Sequence, residues 1–104
     1  MLKENEMIIF KGAELLDVMK EINYILISLH KIGSYYALTL PNSYEAYAKE
    51  TTEFIDDKNV TQRLAYVRRI LSEKFDTSLG DDDMDDIERY LEDLEYWSPK
   101  DVND

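Results

Sequence analysis

The residues of this chain best placed to do chemistry are carboxylates. Asp81, Asp85, Glu88, Glu92 and Glu95 recur at steps of four and three. On an α-helix that spacing gathers them into one stripe, because 3.6 residues close a turn. Asp82 and Asp93 flank it. Adjacent carboxylates on such a stripe stand about 5–6 Å apart and repel one another. Arg89 is the only cation between Asp81 and Trp97. A cationic partner would relieve this repulsion, and the field of the stripe would draw it in. The chemistry to expect is recognition of positive charge. A solvated helix face is the plainer reading of the same residues.

Other chemistries have less to stand on. The run Asp81-Asp82-Asp83-Met84-Asp85-Asp86 is rich in oxygen ligands. A calcium loop, however, needs Gly at its sixth position and Glu at its twelfth. Here Gly80 precedes the acids and Asp86 is sixth, so the run reads as helix capping and no metal is expected. His30 is the single histidine and the chain has no Cys. That excludes zinc–thiolate and thiolate chemistry and leaves no Ser–His–Asp set. No phosphate-cradling glycine loop occurs. We expect no cofactor and no catalysis.

Aromatic residues supply the second set of candidates. Tyr35 and Tyr36 fall in what reads as a connection between helices, and Trp97 ends the acidic segment. Tyr and Trp combine broad apolar contact with a polar tip, which suits an interface. Tyr44 and Tyr47 lie instead on an apolar helical face and read as core.

The charge is unevenly distributed. From Asp76 to Asp104 there are twelve acids and two bases, so this segment holds −10 of the chain's −11. Such a chain is repelled by phosphate, which argues against direct nucleic-acid binding and for a basic protein partner. The longest strongly apolar run, Tyr24 to Leu29, is far too short to span a membrane, and the first ten residues do not read as a signal peptide. Together with the lack of Cys, this leads us to expect a cytoplasmic protein without a membrane partner.

Four periodic segments must position these residues. Leu15, Val18, Met19, Ile22, Ile25, Leu26 and Leu29 predict a central, deeply buried helix over 12–32, with Gly33 as its stop. Asn42 or Ser43 can cap a second helix, whose face is Tyr44, Tyr47, Ala48, Thr51 and Ile55 and which fades near Asp57. Val60, Leu64, Val67, Leu71 and Phe75 mark a third, capped by Asn59 or Thr61. Asp82 or Asp83 caps a fourth, with Met84, Ile87, Leu91 and Leu94 inward and Ser98-Pro99 as its stop. The expected fold is all-α, a compact single-domain bundle of about four main helices over 1–104, with residues 1–6 and 99–104 frayed.

The later half, from Phe54-Ile55-Asp56-Asp57 through Arg68-Arg69-Ile70-Leu71-Ser72-Glu73-Lys74-Phe75-Asp76 to Asp82-Asp83-Met84-Asp85-Asp86-Ile87-Glu88-Arg89-Tyr90-Leu91, resembles the small acidic helical immunity proteins of bacterial polymorphic and contact-dependent inhibition systems. The resemblance implies an antitoxin role: binding and neutralising the C-terminal domain of a cognate toxin, often a nuclease such as a tRNase with a basic cleft. It transfers no contact residue. On charge alone, an acidic nucleic-acid mimic that inhibits a host defence nuclease is the alternative. The oligomeric state is left open.

Overall fold

The computed structural model describes residues 1–39 and 44–100. Four α-helices and one 3-10 turn form it, with no strand among the described residues: the 3-10 turn Lys3–Asn5, α1 (Gly12–Thr39), α2 (Tyr44–Asp57), α3 (Val60–Ser72) and α4 (Asp86–Leu91). Chain packing divides into two compact units, one of residues 9–74 and one of 1–8 with 75–104. The proposed Asn42 or Ser43 cap lies outside the described residues, as does the tail beyond Lys100.

Unit 9–74 is an antiparallel helical hairpin in which one limb is broken. Tyr36 of α1 meets Tyr47 of α2, and Tyr24 meets Phe54, with ring centroids 6.5 and 5.8 Å apart. Further back along α1, Glu21 pairs with Arg63 at 2.8 Å and Glu14 with Lys74 at 3.4 Å. Positions on α1 rise as their partners fall, so α2 and α3 run in succession down one long helix. Two residues, Lys58 and Asn59, separate them. Asn59 adopts φ 55° and ψ 44°, a left-handed conformation that Asn tolerates better than most residues. Its carbonyl nevertheless accepts from Arg63 N and so starts α3. No side-chain cap is made there. Arg63 secures the joint instead: Nε donates to Lys58 O, Nη1 to Glu21 Oε2, and the guanidinium lies 4.5 Å from the Tyr24 ring centre.

Two sequence expectations change here. Gly33 does not stop α1, which continues six residues further, to Thr39. A helical Gly costs about 1 kcal/mol relative to Ala, and the contact of Tyr36 with Tyr47 offsets that. Tyr35 and Tyr36 are therefore helical and not in a connection. The second change concerns burial. The buried apolar residues of the hairpin are Val18, Ile25, Val60 and Val67. Leu15, Leu16, Met19, Ile22, Leu26 and Ile27 of α1 stay exposed, as do Leu64 and Leu71 of α3 and Tyr44 and Ile55 of α2. A helix in a hairpin has one neighbour on one side, and α1 carries an apolar face wider than that neighbour covers.

Unit 1–8 with 75–104 is organised by polar contacts. Asn5, buried at 5% exposure, accepts from Asp76 N through Oδ1 and donates Nδ2 to Asp76 O and Asp86 Oδ2. The N-terminal segment, expected to fray, is thereby tied to the acidic half of the chain. Leu2 N adds a 2.8 Å bond to the same Asp86 oxygen.

Candidate functional site

The acidic helix is much shorter than its spacing predicts. α4 has six residues and its cap is Asp85, not Asp82 or Asp83. Asp85 Oδ1 accepts from Glu88 N at 2.8 Å, and the Glu88 side chain reaches back to Asp85 N, forming a capping box. Upstream the chain makes a turn. Asp83 takes φ 59°, Asp83 N donates to Gly80 O, and Gly80 N donates to Met84 O. Downstream, Glu92, Asp93 and Glu95 would place three negative charges at the carbonyl end of the helix, where the helix dipole opposes them. α4 ends before them, at Leu91. Asp81, Asp85, Glu88, Glu92 and Glu95 thus do not share one continuous helical face.

The carboxylates divide by use. Asp82 is bound bidentately by Arg89, Nε to Oδ2 at 2.7 Å and Nη2 to Oδ1 at 2.8 Å. That guanidinium also donates to Asp86 Oδ1 and Met84 O. The Arg89 hydrogen bonds hold the Asp82 carboxyl far below the usual carboxylate range. Asp86, nearly fully buried, is held low by hydrogen bonds first from Asn5, then from Leu2 N and Arg89. Asp76 is lowered by the Ser78 hydroxyl and amide. Asp82, Asp85, Asp86 and Glu88 are therefore occupied in building the unit. Arg89, the only cation between Asp81 and Trp97, is the hub of this network. Gly80 makes room for it, since a Cβ there would stand 2.6 Å from Arg89 Nη2. A depression of about 270 Å³ opens beside it, lined by Met1, Leu2, Ser78, Gly80, Asp86 and Arg89. Its guanidinium is already spent on carboxylates.

Beyond α4 the picture is different. Among the described residues, the Asp81, Glu92, Asp93 and Glu95 carboxylates enter no hydrogen bond or ion pair. Tyr90 and Trp97 are 85% and 86% exposed, and Tyr96 and Leu94 are exposed beside them. Leu91 and Leu94, expected inward, are open as well. Segment 90–97 thus presents three aromatic rings interleaved with free acids. The sequence pointed to Trp97 as an interface candidate but not to Tyr90.

Tyr35 and Tyr36 belong to the other unit. Their rings meet edge to face at 5.0 Å, Tyr36 continues to Tyr47, and Tyr47 to Tyr44 at 6.1 Å. Burial, Glu50, Tyr35 and Glu53 together raise the Tyr36 phenol above its ordinary pKa. Tyr36 is half-buried in this ladder while Tyr35 is exposed. Tyr36 therefore serves packing within the hairpin, and Tyr35 is the accessible member.

No cluster of three or more His, Cys, Asp or Glu among the described residues is arranged to hold a metal ion, and no described helix is long and apolar enough to cross a membrane. Comparison with protein families, curated proteins and solved structures gave no match.

Proposed function

We propose that this chain is an immunity protein that binds and neutralises a basic toxin domain, a nuclease such as a tRNase, in the cytoplasm. The role is binding without catalysis. The observation that carries it is segment 90–97, where unpaired Glu92, Asp93 and Glu95 alternate with exposed Tyr90, Tyr96 and Trp97. Carboxylates pair with Lys and Arg, and aromatic faces attract the same cations at about 0.5–2 kcal/mol each. A surface with both is suited to a basic cleft. The surplus of acid around it would speed encounter with such a partner. The resemblance of the later half to immunity proteins points the same way.

The mimic of nucleic acid has less support. Imitating a phosphate track calls for regularly spaced charge, and α4 ends before the track could form.

The test is association with the product of the adjacent open reading frame, which this reading expects to be the toxin. Glu92→Gln, Asp93→Asn and Glu95→Gln together remove three charges that hold nothing in the fold. Association should slow, its salt dependence should shrink, and cells should lose protection, while circular dichroism stays unchanged. Trp97→Ala should weaken the complex chiefly through faster dissociation. Full binding and protection in both variants would refute the reading.

A further inference from the structure

The exposed apolar residues of the hairpin are not scattered. On α1, the exposed Leu15, Met19, Ile22 and Leu26 recur at alternating steps of four and three, and the half-buried Leu29 and Gly33 continue the period. That is a heptad seam running along a 28-residue helix. Val18 and Ile25, which bury against the other limb, lie to one side of it. The antiparallel course of α3 turns Leu64 and Leu71 to the same side as the seam, because both sets sit a quarter-turn in the same sense from the α1–α3 contact.

We propose that this face pairs with the same face of a second copy of the chain, so that two hairpins close into a helical bundle. Four observations favour a second copy over any other occupant. First, the period is that of a helix packing on a helix, knobs into holes, and the chain itself supplies a helix of matching period. Second, the charge permits it. The acids of α1 are Glu14, Asp17 and Glu21, and all three point away from the seam. Its outer rim carries Leu16, Asn23 and His30. Two chains of net −11 can thus meet here without bringing their carboxylates together, whereas a basic partner finds nothing to pair with.

Third, the area is sufficient. Leu15, Met19, Ile22, Leu26, Leu64 and Leu71 are each 37–58% exposed, and Leu16 and Ile27 flank them. Fully burying one such side chain removes on the order of 100 Å² of apolar surface. The exposed share is then about 400 Å² per copy, and with interfaces roughly 60% apolar the total reaches about 1,200–1,400 Å², the size of a stable complex. Fourth, Gly33 sits in mid-helix although a Cβ there would meet nothing within 4 Å. Nothing among the described residues asks for glycine at this point of the seam. An antiparallel pair of α1 helices centred near Tyr24 would set Gly33 against Leu15 of the other copy, bulk against gap.

Sedimentation equilibrium over a concentration series tests this on the full chain. The native chain should run at twice its 12.3 kDa mass, dissociating on dilution. Met19→Gln with Leu26→Gln should halve the mass and leave helical circular dichroism intact, because both residues are more than half exposed in one copy. Gly33→Ala should raise the dissociation constant at least tenfold while the single chain keeps its helicity. A native chain of single mass at every concentration overturns the proposal. So does a Gln variant that loses helix, which would place the seam inside the single chain. An assembly larger than two also overturns it.

Discussion

Asn5→Ala removes the side chain through which the N-terminal turn holds the acidic half. Asn5 makes three hydrogen bonds of 2.7–2.9 Å, two to the backbone of Asp76 and one to the Asp86 carboxylate. At about 0.5–1.5 kcal/mol net for each, with the carboxylate bond at the upper end, truncation removes about 2–4 kcal/mol. Water entering the gap would move the loss toward the lower figure, and an orphaned Asp76 amide toward the higher. Native-state hydrogen exchange reads this locally. The Asp76 and Leu2 amides, bonded to Asn5 Oδ1 and Asp86 Oδ2, should lose protection by about 30- to 1,000-fold, as 1.4 kcal/mol corresponds to tenfold. Amides in the middle of α3 should change far less, since they belong to the other packing unit. A loss below threefold at Asp76 would mean that the Asn5 contacts do not hold this unit together.

Acid should open the same unit. Asp82, Asp86 and Asp76 are all held below the ordinary carboxylate range, so their stabilisation is complete above the unfolded-state value near 4 and is lost as pH falls through it toward the folded-state values. Exchange protection of the Leu2 and Glu88 amides should be flat from about pH 8 to 5 and decline below about 4, and unchanged protection at pH 3 would contradict the network. In the hairpin, Val67 is 7% exposed, and Val67→Ala should cost about 2 kcal/mol in urea denaturation. A shift under about 0.5 kcal/mol would show that α3 does not pack through that residue.

The helical class and three of the four helices were legible because apolar residues at three- and four-residue steps admit little else. α2 ends at Asp57, where its periodicity was expected to fade, whereas α3 stops at Ser72, three residues short of Phe75. The burial pattern was not legible. Periodicity reports that a face is apolar, not whether it is covered, and α1 has a wider apolar face than one hairpin limb can cover. The length of α4 was misread for a different reason. Spacing alone assigns Asp81 and Glu95 to one stripe, but the left-handed Asp83, the Asp85 capping box and the acids beyond Leu91 confine the helix to six residues. The role of Asn5 carried no sequence signal, since its partners lie 71 and 81 residues away.

The two proposed surfaces obey opposite salt laws, and this separates them. Segment 90–97 would bind through unpaired carboxylates, so added salt should weaken its complex by screening, most of all in the association rate. The α1 seam is apolar with no carboxylate at its outer rim, and each copy brings a net −11. Screening reduces the repulsion between copies while leaving apolar burial in place, so self-association should tighten as salt rises from low to moderate concentration. A chain that dimerises more tightly in salt while releasing a basic partner is using two distinct faces. If both equilibria weakened together, the copies would be meeting through charge, and the acidic segment would be their contact as well. The seam variants and the segment variants then assign each effect to its residues: Met19→Gln with Leu26→Gln should alter the mass and spare the partner, and the Glu92, Asp93 and Glu95 substitutions should do the reverse.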